Sequence, residues 1–279
     1  MTAKKNTQLF ALSNLPASEL SMEGASWRLV KVFKHDFFAA TCLYELVDGV
    51  PPCGIERVVV KFGRTQPFFG LSMKWYGQLL RRHEHDVYAR LKGIAGVPRW
   101  VGCVSDTAYA IEYIDAMPLD HLPVMPEGFF DKLHALMTKI HSRGVGYCDA
   151  NKKSNILVRP DGSPCLIDYQ ISLMIQPRLI WPLRNLIEVV VKYVQNKDIY
   201  HIFKHKRRLC PHELRSEEVA LSYNRTVLHR LHRTITKPYR AMRRRFLSKQ
   251  HTSGRLVSPT QDLEDHHQPE KQTWRAHKG

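Results

Sequence analysis

The sequence predicts an α+β fold, and three patterns lead to it. Phe129, Phe130, Leu133, Leu136, Met137 and Ile140 recur at helical spacing, which gives a long helix with one apolar face. A second helix is expected around Glu84, because Val87, Tyr88 and Leu91 follow it by three, four and seven residues and share its face, while Asp86 points elsewhere. Ile156-Leu157-Val158 and Cys165-Leu166-Ile167 flank Arg159-Pro160-Asp161-Gly162-Ser163-Pro164. Its Asp-Gly pair and prolines signal a turn, so the two apolar runs are expected to pair as a hairpin.

The hairpin frames residues that carry chemistry. Asn155 enters it and Asp168 leaves it, so pairing brings together an amide oxygen and a carboxylate, the hard oxygen donors that Mg²⁺ prefers. The whole stretch from Ile140 to Leu173, IHSRGVGYCDANKKSNILVRPDGSPCLIDYQISL, resembles the helix end, catalytic loop, hairpin and metal-binding aspartate of protein kinases. The resemblance implies a two-lobed protein-kinase-like fold, with a small antiparallel-sheet N-lobe and a reduced, mainly helical C-lobe. It implies Asp149 as the group that orients an acceptor hydroxyl and takes its proton, Asn155 and Asp168 as Mg²⁺ ligands, and ATP as the phosphoryl donor. Lys152 or Lys153 would neutralise the transferring phosphoryl group.

Upstream, Val58-Val59-Val60-Lys61 resembles the strand whose lysine contacts the α- and β-phosphates, with Glu84 as that lysine's partner. Ala108-Tyr109-Ala110-Ile111-Glu112-Tyr113-Ile114-Asp115 is similar to the strand and hinge that bind adenine, which would put main-chain groups of Glu112 and Ile114 on the base. The phosphate-covering loop matches least. Lys34-His35-Asp36-Phe37-Phe38-Ala39-Ala40-Thr41 has no glycine, leaving Lys34, His35 or a different backbone geometry for phosphate contact.

Other departures from the kinase pattern bear on the substrate. Asn155 follows Asp149 by six residues where typical kinases have five, and Asp168-Tyr169-Gln170 replaces Asp-Phe-Gly, removing the glycine that lets this segment flip. After Asp168 the chain runs through Ser172-Leu173-Met174 straight into an apolar segment, with no room for an activation loop ending in Ala-Pro-Glu. The pattern resembles compact bacterial members, the lipopolysaccharide core sugar (3-deoxy-manno-octulosonate) kinases, and the RIO-type kinases. An envelope sugar hydroxyl is therefore the expected acceptor. An atypical Ser/Thr or RIO-like protein kinase and a pseudokinase scaffold are the alternatives.

Composition agrees with this reading. The 279 residues suffice for a two-lobed unit plus a tail, and 43% hydrophobic content supplies a core. The six cysteines show neither Cys-x-x-Cys pairing nor zinc spacing, which favours reduced thiols in a cytoplasmic protein. Residues 1–24 never form the uninterrupted apolar core of a secretory signal. Leu179 to Val194 is broken by Pro182, Arg184, Asn185, Glu188 and Lys192, so it reads as a C-lobe helix and no transmembrane segment is expected.

The 42 Lys and Arg outnumber the 26 Asp and Glu, a formal charge of +16. The excess gathers in Lys204-His205-Lys206-Arg207-Arg208 and in Arg240, Arg243, Arg244 and Arg245. With Trp181, Tyr200, Phe203 and Phe246 beside them, these clusters point to an anionic membrane surface or a lipid-linked sugar at the inner membrane, ahead of nucleic acid. The expected organisation is an N-terminal extension over 1–24, an N-lobe over 25–114, a C-lobe over 115–248, and a polar, flexible tail over 249–279.

Overall fold

The computed structural model describes residues 10–68, 70–175, 180–223 and Arg245. The expected tail, together with Arg240, Arg243, Arg244 and Phe246, lies outside the described residues. The described residues form two compact units, the first containing residues 10–82, Trp100–Tyr113 and Arg245, the second His83–Arg99 and residues 114–223.

In the first unit, β1 (Glu19–Met22), β2 (Ala25–His35), β3 (Ala39–Asp48), β4 (Arg57–Gly63), β5 (Trp100–Ser105) and β6 (Ala108–Glu112) form one antiparallel sheet in the order β1-β2-β3-β4-β6-β5. Strand β4 lies inside it, and its β-branched residues follow the two-residue period. Val58 and Val60 are fully buried with Trp27, Val32, Cys42, Tyr44 and Ala110, which sends Lys61 to the other face, opposite Thr41 on one side and Tyr109 on the other. Strand β1 falls inside the segment 1–24 that the sequence sets apart. Its four residues are too short a run to show an alternation, yet Met22 is buried in the sheet's core.

Helix α1 (Lys74–Leu91) carries the expected face: Glu84, Val87, Tyr88 and Leu91 are buried while Asp86 is exposed. The second unit then contains β7 (Met117–Pro118), α2 (Phe129–Ser142), β8 (Val145–Gly146), β9 (Ile156–Val158), β10 (Pro164–Leu166), β11 (Leu173–Met174), α3 (Leu183–Leu209) and α4 (Ser216–Tyr223). All six apolar residues that predicted α2 are buried. The hairpin forms as β9 against β10, one residue earlier in its second strand than expected. Pro164 is tolerated there because β10 is an edge strand, where a missing N–H breaks no ladder bond. The turn uses Gly162 at φ 73°, a left-handed conformation that glycine adopts without cost, and Asp161 accepts the Ser163 N–H at 2.8 Å.

Helix α3 gives several residues of Lys204–Arg208 partners within the protein. Its 27 residues extend well past Val194 and bury His205 and Lys206 of this cluster, while Arg208 stays exposed. Lys206 is fully buried, its ammonium donating to Asp131 at 2.7 Å and to Glu218 at 2.8 Å. Lys204 donates to Asn151, and Arg207 donates to Ser222 while its guanidinium stacks 3.6 Å above the Tyr223 ring. Tyr200 and Phe203 are core residues. Carboxylates from α2 and α4 thus neutralise Lys206 within what the local sequence presents as a free basic patch.

Candidate active site

The site is built on the loop between α2 and β9. Gly144, at φ 72°, turns the chain out of α2, and β8 follows. At Gly146 a Cβ would meet Val194 at 2.8 Å, so only glycine lets β8 lie this close to α3. That approach brings Asp198 of α3 beneath the loop. Its carboxylate accepts the Tyr147 N–H at 2.8 Å and the Cys148 N–H at 3.0 Å, and lies 3.2 Å from His141 Nε2. Burial pushes the Asp198 carboxyl up, while His141 and the two backbone donors pull it back only in part.

Beyond Cys148 the loop presents Asp149. Asp149 O accepts the Lys152 N–H at 3.0 Å, and Lys152 O accepts the Asn155 N–H at 3.1 Å. Two successive turns thus absorb the extra residue of this loop. The Asn155 side chain then donates from Nδ2 to Asp149 Oδ2 at 2.7 Å, which leaves its carbonyl oxygen as the group available to a cation. Ile167 N–H donates to Asn155 O at 3.1 Å, so Asn155 and Asp168 stand at adjacent ends of the hairpin, as the sequence predicts.

Tyr147 ties these pieces together from below. It is fully buried and donates its hydroxyl to Ile167 O, with Asn155 O at 3.5 Å. Burial holds its hydroxyl far above the usual phenol range, and the neighbouring Tyr169, Asp149 and Asp168 add to the shift. Tyr169 is wedged between the rings of Tyr88 at 5.3 Å and Tyr147 at 5.2 Å, packing that fixes the segment after Asp168. Two of the four non-glycine residues with positive φ among the described residues belong to this site, Cys148 at 70° and Asp168 at 65°. Such conformations cost of order 1 kcal/mol each and persist where surrounding contacts impose them. The Cys148 thiol is pushed up to about 12 by burial and then by Asp198, so it stays protonated rather than serving as a nucleophile.

The remaining predicted residues fall as follows. Lys152 and Lys153 are half-buried on the same loop as Asp149. Lys61 lies on β4 and Glu112 ends β6 in the first unit, whereas Glu84 and Ile114 belong to the second. Lys34 is the penultimate residue of β2 and forms an ion pair with Asp36 at 2.6 Å. The turn from β2 to β3 holds its shape without glycine. Asp36 accepts the N–H groups of Phe38 and Ala39, and buried Arg64 donates to Phe37 O at 2.8 Å with its guanidinium 3.9 Å from the Phe37 ring. Burial acts to raise the Asp36 carboxyl, but Lys34 and those two N–H groups together hold it below the usual range.

Sequence reasoning missed Asp198, His141 and Tyr147. A signal for Asp198 exists: it continues the spacing of Val191 and Val194 along α3 and so occupies a core position, where a carboxylate must find donors.

No known family model matches the chain, and no curated protein matches it. Among solved structures, the chain is similar to the Rio2 kinase of Chaetomium thermophilum in its ADP/Mg²⁺-phosphoaspartate complex, at 16% identity and a TM-score of 0.49, over 67% of this chain and 58% of that one. Another structure of the same kinase gives 16% identity and a TM-score of 0.48, over 65% and 58%. The chain thus spans 58% of the length of both.

Proposed function

We propose that the protein is an ATP-dependent phosphotransferase that acts on a hydroxyl group, with Asp149, Asn155 and Asp168 at its centre. The observation that carries this reading is the 2.7 Å bond from Asn155 to Asp149, made on a loop that Asp198 clamps and beside the hairpin end that bears Asp168. Asp149 would orient the acceptor hydroxyl and take its proton. Lys152 or Lys153 would meet the transferring phosphoryl group. Lys61, with Glu84 as its expected partner, would hold the α- and β-phosphates, Lys34 would lie under the phosphate cover, and main-chain groups of Glu112 and Ile114 would contact the base.

The donor set fits Mg²⁺. An amide oxygen from Asn155 and a carboxylate from Asp168 are hard ligands, and Mg²⁺ commonly takes one or two protein carboxylates with phosphate oxygens and water completing its shell. When bound, the ion neutralises charge on the terminal phosphates.

An envelope sugar hydroxyl of the lipopolysaccharide type is the acceptor this reading favours. What supports it is the brevity of the chain between Asp168 and the start of α3 at Leu183, too short for the platform on which protein substrates dock. The glycine-free turn between β2 and β3 favours one further reading, nucleotide binding without turnover. Incubation with labelled ATP and Mg²⁺, with and without a bacterial lipid extract, separates the three. Label in the lipid fraction is the expected result. Label in protein alone supports a protein kinase, and bound ATP with no transfer supports a binding protein.

A further inference from the structure

The first two turns of α3 bury none of their apolar side chains. Leu183 is 51% exposed, Leu186 62%, Val189 65% and Val190 40%, and just before them Ile180 and Trp181 are 77% and 76% exposed. Leu183, Leu186 and Val190 stand at i, i+3 and i+7, with Val189 three residues beyond Leu186, so they form one apolar face. Burial begins only at Val191 and at Val194, which continues the same stripe one turn beyond Val190. A contiguous exposed apolar patch on a helix is the mark of a surface that meets a partner.

Charge selects the partner. Glu188 is the lone carboxylate between residues 180 and 192, and it is paired with Arg184 at 2.9 Å. A second copy of a chain with a formal charge of +16 would be repelled, whereas an anionic surface would attract it. An exposed Trp at the tip, an aliphatic face and flanking Lys and Arg together suit the layer between lipid headgroups and acyl chains.

We propose that the start of α3 is a docking face for an anionic lipid bilayer, with Trp181, Leu183, Leu186 and Val190 entering the headgroup boundary and Arg184 and Lys192 meeting lipid phosphates. This surface is distinct from the Lys204–Arg208 segment, and the inference does not depend on phosphoryl transfer.

The test is sedimentation of the full chain with vesicles of phosphatidylcholine alone or mixed with phosphatidylglycerol, for wild type and a Leu183→Ser/Leu186→Ser variant. Both positions are exposed, so the variant is expected to melt as the wild type does. Wild type should pellet with the phosphatidylglycerol vesicles, much less with phosphatidylcholine alone, and the variant should bind at least about tenfold more weakly, since two leucines lose their apolar burial. Equal binding by the variant, or no pelleting of the wild type, overturns the proposal. So does a dimer seen by sedimentation velocity that the variant abolishes without any vesicle binding, which would assign the face to a second copy.

Discussion

Substituting Asp198 tests whether one carboxylate on α3 sets the geometry of the whole loop. Oδ2 accepts the Tyr147 N–H and approaches His141, while Oδ1 accepts the Cys148 N–H. Asparagine keeps the shape but replaces one oxygen with an NH₂ group. Whichever way the amide turns, one buried backbone N–H then faces a donor, at a cost of about 1–3 kcal/mol. Part of that cost is returned because asparagine brings no charge to desolvate, the same burial that pushes the Asp198 carboxyl up. About 1–2 kcal/mol is therefore the expected loss for Asp198→Asn, and roughly twice that for Asp198→Ala, which orphans both N–H groups. Urea unfolding reads this as a lower midpoint at unchanged slope. Turnover should fall alongside, with nucleotide affinity held, because the loop that carries Asp149 loses its support. Two variants that unfold at the wild-type midpoint would refute the clamp.

The other predictions follow the same logic. Lys206→Met should cost about 3 kcal/mol in thermal or urea unfolding, at the low end for a buried pair because Arg215 also bonds to Asp131 and Glu218; an unchanged midpoint would show that the network contributes nothing. His205 bonds to Ala150 O, and burial followed by Lys204 lowers its pKa to about 4 from the usual 6.5 of histidine. The unfolded chain then binds more protons between these values, so this stability is fully present above the unfolded pKa and drains away, by about 3 kcal/mol, as pH falls through the folded one. His205→Gln keeps a donor for Ala150 and should flatten the acid loss in unfolding series taken at falling pH; an unaltered slope would rule His205 out. Asp149→Asn should leave nucleotide affinity almost unchanged while slowing transfer by about 10²–10⁴-fold, and an affinity that fell with the rate would make Asp149 a binding residue.

What the sequence reveals is what rests on local periodicity. The apolar stripe of α2, the shared face of Glu84, Val87, Tyr88 and Leu91, and the Asp-Gly turn all declare themselves within one or two turns of chain, and the hairpin then juxtaposes Asn155 and Asp168 without further information. Asp198 and Lys206 stay hidden for the opposite reason. Asp198 shows a core position by its spacing but not the donors it meets, Lys206 looks surface-bound among its neighbours, and the partners of both come from elsewhere: Tyr147 and Cys148 for the first, Asp131 and Glu218 for the second. The replacement for the phosphate-loop glycines is invisible as well, since Arg64 reaches Phe37 across 27 residues.

The most direct test of the phosphoryl-transfer assignment is the Mg²⁺ dependence of the reaction in Asp168→Asn. Asparagine tolerates the left-handed backbone at this position, φ 65°, so the substitution removes the charge without adding strain. The assay is transfer of label from ATP across an Mg²⁺ titration, with wild type and variant matched in melting temperature. The account predicts that wild type shows saturable Mg²⁺-dependent transfer and that the variant shows none. Wild-type turnover by a folded Asp168→Asn protein would contradict the metal site and, with it, the phosphotransferase reading.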